Sequence, residues 1–260
     1  MKHLNFNSVR AILVALDAKF VGGYLKRTYY VQRSFKSLRS PFTHRLILSY
    51  DIKSSRLHDL FFEYGSDKGA PNDQAHPISL KSAHTYADLY YILFNFSRNS
   101  IKRVFECGLG TNNLSFESNM GQTGVPGASL RAWRDYFPNA EIFGADIDSG
   151  ILFTEDRIAT FHVDQTVLES IERMWDKISI EEFDIIIDDG LHTFDAGISL
   201  FEASFSKLRE GGIYVIEDIT PEDKFKFYCY FKAKPYRTQF VDLHRPNRLL
   251  SDNSVVIIWK

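Results

Sequence analysis

Four acidic residues, Glu106, Asp146, Asp164 and Asp188, each close a short apolar run in the second half of this chain. One such acid reads as a cap on the helix that follows. Four in succession point to a shared ligand. Glu106 belongs to an ExGxG run with Gly108 and Gly110, and glycines at a tight turn let a ligand approach the backbone. Asp146 could accept both hydroxyls of an adenosine ribose. Asp164, with Gln165 beside it, could face an adenine amine, and Glu106 could order the glycine turn or a water. A nicotinamide dinucleotide is disfavoured, because Asn113 stands at the third glycine position of that fingerprint.

A second constellation follows. Asp189, Glu217 and Asp218 offer three carboxylates at two strand ends, and His192 lies just past Gly190. Clustered carboxylates are costly without a cation. A magnesium or manganese ion takes such oxygen ligands, with water and substrate completing the shell. Two adjacent sugar hydroxyls could chelate it, which would lower a hydroxyl pKa, and His192 could take the proton near neutral pH.

These residues need strands to hold them. Apolar runs at 103–108, 141–147, 159–164, 183–190 and 213–218 read as strands. Amphipathic stretches near 82–97, 128–137, 166–177, 194–208 and 221–233 read as helices. Two last strands, 236–243 and 254–259, read as an antiparallel edge hairpin. The expected fold is α/β: a Rossmann-like, doubly wound, mostly parallel seven-stranded sheet with a helical N-terminal extension. Residues 1–98 are expected to be a basic, mainly helical extension and cap, and 99–260 the α/β domain. In such sheets ligands sit beyond the carboxyl ends of the strands. Residues 64–78 read as a loop, in which Asp67 and Lys68 could close over a cofactor.

Charge is uneven along the 260 residues. Residues 1–56 hold eleven Lys and Arg against Asp17 and Asp51, while the remaining 204 carry 20 bases and 31 acids. The overall charge of −2 argues against a general nucleic-acid binder. Phe6, Val9, Ile12, Leu13, Leu16 and Phe20 recur at helical spacing, which suits packing on the chain's own domain or a second copy, or peripheral contact with an anionic membrane. The run Ala11–Leu16 is too short to span a bilayer. With two cysteines and no secretory signal, a cytoplasmic location is expected. His244, Arg245 and Arg248 form a late basic loop that reads as surface charge.

FECGLG at 105–110, GADID at 144–148, VDQT at 163–166 and IIDDGLH at 186–192 together resemble the class I methyltransferases that use S-adenosylmethionine. GASLRAWRDYFPNAEIFGADID at 127–148 and GGIYVIED at 211–218, with YGSDKG at 64–69 and HTYADLYY at 84–91, narrow the resemblance to the metal-dependent sugar O-methyltransferases of the macrocin and mycinamicin type. That resemblance implies cofactor contacts from Glu106, Gly108, Gly110, Asp146, Asp164, Gln165 and Asp188, with Ser129 at its methionine part. It implies a magnesium ion held by Asp189, Glu217 and Asp218, and His192 as general base. Tyr86 could bond the cofactor's carboxylate, although its helical stripe favours core packing. The expected activity is divalent-metal-assisted O-methylation of a sugar hydroxyl in a polysaccharide precursor or glycosylated metabolite, by a protein expected to form homo-oligomers. The alternatives are a small diol or phosphate acceptor, and a non-catalytic cofactor-binding scaffold.

Overall fold

The structure, a computed structural model, describes residues 45–49, 54–69, 84–244 and 252–260. The basic segment 1–44, with the membrane and oligomer roles expected of it, lies outside the described residues, as do Arg245 and Arg248.

The described elements are β1 (Arg45–Ser49), α1 (Arg56–Tyr64), α2 (Tyr86–Phe94), β2 (Arg103–Cys107), α3 (Ala128–Tyr136), β3 (Glu141–Asp146), β4 (Thr154–Glu155), β5 (Ile158–His162), α4 (Leu168–Ile178), β6 (Phe183–Asp188), α5 (Phe194–Ser204), β7 (Leu208–Ile216), α6 (Pro221–Lys232), β8 (Arg237–His244) and β9 (Ser254–Trp259). They build one sheet in the order β1-β8-β9-β7-β6-β2-β3-β5-β4. The seven expected strands are its centre. Two short edge strands extend it to nine. One of them, β1, lies in the segment expected to be helical and pairs in parallel with β8. β4 pairs antiparallel with β5. The β8–β9 hairpin is antiparallel as expected, and the pairings among β5, β3, β2, β6 and β7 are parallel.

Central strands are apolar on both faces because helices cover both. Side chains alternate along a strand, so Val104, Ile142, Ile185 and Ile187 face a core shared with α1, α2 and α3. Phe105, Phe143, Ile186 and Tyr214 face the core under α4, α5 and α6. Trp133 of α3 centres the first core. Its ring meets Phe61 of α1 edge-on at 4.9 Å and Tyr90 of α2 at 5.2 Å. Helices α1 and α2 therefore pack into the same core as the strands. Buried His58 bonds Asp88 at 2.9 Å and fixes α1 to α2. At the start of α6, Thr220 accepts the Asp223 N–H and Pro221 fills the first turn, a strong helix start.

Candidate functional site

The chain leaves β2 on one side through β3 and β5, then returns on its other side through β6 and β7. The crevice beyond the carboxyl ends of β2 and β6 is thus the switch point of the sheet. Gly108 follows β2 there with φ of 96°, and a Cβ on it would stand 2.0 Å from the Asp189 carbonyl oxygen. The Gly108 N–H donates to Ala145 O at 2.8 Å and the Asp189 N–H to Cys107 O at 2.9 Å. Only glycine fits a turn pressed this closely against its neighbour. Gly110 also has positive φ, 77°, and its missing Cβ leaves room for Met120.

The strand-end acids divide by partner. Both oxygens of fully buried Glu106 accept protein donors, the Ser129 hydroxyl and the Trp133 indole N–H. Ser129, expected at the ligand, is instead turned onto Glu106. Burial raises the Glu106 pKa, partly countered by Lys68. Asp146 accepts the N–H of Leu109 at 2.7 Å and of Asp148 at 2.9 Å, so it ties the glycine turn to the end of β3. A carboxylate oxygen has a second acceptor site, which leaves Asp146 able to bind hydroxyls as well. Asp164 accepts the Thr166 N–H and hydroxyl in a local turn. Gln165 donates to Asp188 at 2.6 Å and accepts the Leu191 N–H at 2.9 Å, which holds the loop after β6. Burial pushes the Asp188 carboxyl up to about 6.

Beside this crevice lies the second constellation. Asp189, His192 and Asp218 each bring one donor atom within 4.8 Å of the others. Their side chains are 22%, 27% and 17% exposed, so all three reach solvent. His192 and Asp218 both have positive φ, 59° and 53°. Such backbone is uncommon outside glycine and costs about 1 kcal/mol or more, which here aims side chains from two strand ends at one point. His192 Nε2 is 3.7 Å from Asp218 Oδ2. Asp218 also accepts the Tyr86 hydroxyl and lies 3.5 Å from His84 Nδ1. Burial would raise the Asp218 pKa, but His84, His192 and Tyr86 outweigh it and hold it below the usual carboxylate value. Tyr86 therefore serves the acid cluster, and its ring stacks on His84 at 4.8 Å.

Glu217 stands apart from this trio. Its side chain is fully buried, one oxygen accepting the Tyr90 hydroxyl and the other the Lys68 ammonium. Burial drives its pKa well above the usual range, with Lys68 opposing. Lys68 also bonds Asp189 at 2.7 Å and lies 3.9 Å from Glu106. Burial alone would lower its pKa, but the three carboxylates hold it well above the usual lysine value.

The partners that Lys68, His84 and Tyr90 take beside the acid cluster were not readable from the sequence. Lys68 lies in a stretch read as a loop, and its partners are 121 and 149 positions away. Tyr90 sits in a helical stripe that fits a core equally well. His84 Nδ1 is buried without a hydrogen-bond partner, 3.5 Å from Asp218, a placement that only the fold reveals.

No family model matches the chain. Curated relatives do. It is 36% identical over 136 residues to a mycinamicin VI 2''-O-methyltransferase of Micromonospora griseorubida, covering 52% of this chain and 32% of that protein. It is 30% identical over 180 residues to an 8-demethyl-8-alpha-L-rhamnosyl tetracenomycin-C 2'-O-methyltransferase of Streptomyces olivaceus, covering 69% of this chain and 42% of that one. The structure of the mycinamycin-pathway methyltransferase MycE with Mg and SAH superposes with a TM-score of 0.55 at 25% identity, over 80% of this chain and 55% of that one. The chain has a class I methyltransferase fold and resembles the macrocin and mycinamicin O-methyltransferases. It spans less than half the length of the curated relatives it matches.

Two solvent-facing carboxylates with an imidazole and a further carboxylate behind them fit a magnesium or manganese ion, since hard cations take oxygen donors and leave room for water. The glycine turn, Asp146 and the Asp164–Gln165 pair likewise suit an adenosine cofactor. Asp146 keeps free acceptor sites, and Ile147 and Val167 are exposed beside these acids as apolar surface for a flat base.

Proposed function

We propose that this chain transfers a methyl group from S-adenosylmethionine to a sugar hydroxyl of a glycosylated metabolite or polysaccharide precursor, with help from a divalent ion. The observation that carries the reading is the contact between the two constellations. Gly108, in the cofactor turn, lies directly against the backbone of Asp189, in the acid–histidine cluster. A methyl donor seated at the turn and an acceptor seated at the cluster would therefore face one another. The names of the relatives, O-methyltransferases of rhamnosyl tetracenomycin-C and of mycinamicin VI, support a sugar acceptor.

The protein's part is positioning. Asp146 is assigned to the ribose hydroxyls, Asp164 and Gln165 to the adenine edge, with Asp188 held behind Gln165. Glu106, with Ser129 and Trp133, keeps the glycine turn rigid. S-adenosylmethionine, when bound, supplies an activated methyl and its own leaving group. Asp189, Glu217 and Asp218 are assigned to a magnesium or manganese ion, which when bound would acidify a chelated hydroxyl. His192 is the group placed to take that hydroxyl's proton. Its left-handed backbone and its 3.7 Å approach to Asp218 keep it beside the acid cluster. Tyr86 and His84 orient Asp218 from the other side.

Calorimetric titration with S-adenosylhomocysteine tests the cofactor assignment. Micromolar binding that Asp146→Ala abolishes is the expected result. A folded protein with no affinity for that nucleoside would refute it.

A further inference from the structure

Four carboxylates crowd the end of the sheet, and one buried ammonium reaches three of them. Lys68 arrives from the segment between α1 and α2, 3% exposed at its side chain, and bonds Asp189 Oδ2 at 2.7 Å and Glu217 Oε2 directly. Glu106 Oε1 lies 3.9 Å away. The segment is itself pinned: Ala87 N–H donates to Lys68 O at 2.9 Å, His84 N–H to Asp67 O at 2.7 Å, and Gly69 leaves no room for a Cβ against Ala87. The ammonium is held in place by backbone, and does not reach in by chance.

We infer that Lys68 is a built-in competitor of the divalent cation, because its buried ammonium engages the Asp189 and Glu217 oxygens that such an ion would use. The inference rests on the metal-assisted reading above. Glu217 has one oxygen on Tyr90 and the other on Lys68, and no solvent contact, so it joins a bound ion only by sharing or giving up the ammonium. Asp189 is the bridge: it belongs both to the Lys68 group and to the trio with His192 and Asp218. A positive charge this close to a ligand carboxylate opposes a second positive charge in the same low-dielectric pocket. Lys68 thus neutralises the cluster when no ion is bound and sets the affinity of the ion low when one is, so that the ion exchanges readily.

The test compares wild type, Lys68→Met and Lys68→Arg by Mn2+ titration, followed by calorimetry and by the loss of the free-ion electron paramagnetic resonance signal. Lys68→Met is expected to bind Mn2+ at least ~10-fold more tightly than wild type, since the ion gains two carboxylates and loses a neighbouring charge. Lys68→Arg keeps the charge and is expected to stay close to wild type. Thermal unfolding supplies a second readout. Mn2+ should raise the melting temperature of Lys68→Met far more than that of wild type, and EDTA should unfold the variant preferentially. Equal or weaker Mn2+ binding in Lys68→Met overturns the inference while leaving the metal reading intact. So does tighter binding in Lys68→Arg, or a Lys68→Met protein that fails to fold even with Mn2+ present. Absence of Mn2+ binding in wild type and variants alike overturns the metal reading and this inference together.

Discussion

Replacing Gly108 with alanine probes the contact on which the proposed function depends. Gly108 has φ of 96°, and its added Cβ would stand 2.0 Å from the Asp189 carbonyl oxygen. Left-handed backbone costs a non-glycine residue about 1–2 kcal/mol. The overlap is the larger problem, since a carbon and an oxygen not bonded to each other approach to about 3.3 Å. The β2 turn and the loop after β6 must separate by about 1 Å. Atom placements wrong by ~1 Å cost ~100-fold in rate, equivalent to about 2.7 kcal/mol. Gly108→Ala is therefore expected to lose at least ~100-fold in kcat/KM for methyl transfer. Because the same contact fixes the cofactor turn and Asp189, affinity for S-adenosylhomocysteine and for Mn2+ should fall together. Both are read by calorimetry on a variant shown to be folded by circular dichroism. Wild-type affinity for both ligands would refute the claim that the two constellations share a wall.

Four further outcomes follow from the same geometry. His192→Ala should lower turnover by about 10²–10⁴, the range for loss of a general base, while binding of S-adenosylhomocysteine stays unchanged in calorimetry. Trp133→Phe removes one donor from buried Glu106 and should destabilise the fold by about 1–3 kcal/mol in urea unfolding. EDTA should abolish turnover, and added magnesium or manganese should restore it, in a continuous assay of S-adenosylhomocysteine release. Asp188 gives a pH dependence. Its folded pKa, about 6, lies above the ordinary aspartate value, so the folded state binds the extra proton between about pH 4 and 6. Stability conferred by the protonated form is present at about pH 4 and lost as pH rises through 6, by at most about 3 kcal/mol. In EDTA-treated protein, Asp188→Asn should remove that slope from denaturant midpoints measured across the window.

Much of the frame was legible because the parallel strands are buried on both faces. Runs such as Phe183–Asp188 and Arg103–Cys107 carry that burial in their composition, and the acids that end them fall where the sheet presents ligands. The short edge strands β1 and β4 were not legible. Their pairing is a tertiary event, with only five and two residues and no alternating pattern to announce it. Glu106, Asp146, Asp188, Asp189 and His192 were singled out from their positions alone, and the structure gathers them at the carboxyl end of the sheet. Their partners were harder to read: Trp133 and Tyr90 look like core aromatics, and Lys68, singled out only as a loop residue that could close over a cofactor, gave no sign of the buried carboxylates it joins. Ser129 shows the limit from the other direction. A hydroxyl at a helix start suits a ligand, but a buried carboxylate 23 positions earlier claims it. Glu217 is a related case: the sequence set it beside Asp218, and only the fold shows its carboxylate buried on Tyr90 and Lys68.

Metal-assisted methyl transfer to a sugar hydroxyl can be observed directly. Its most direct test incubates the protein with S-adenosylmethionine labelled in the methyl group, a rhamnosylated acceptor with free adjacent hydroxyls, and magnesium, and follows the label by mass spectrometry. The expected product is one labelled methyl ether on the sugar, formed with magnesium and lost with EDTA or His192→Ala. Label transferred equally well without a divalent ion, or a folded, cofactor-binding protein that methylates no sugar hydroxyl across a panel of such acceptors, would contradict it.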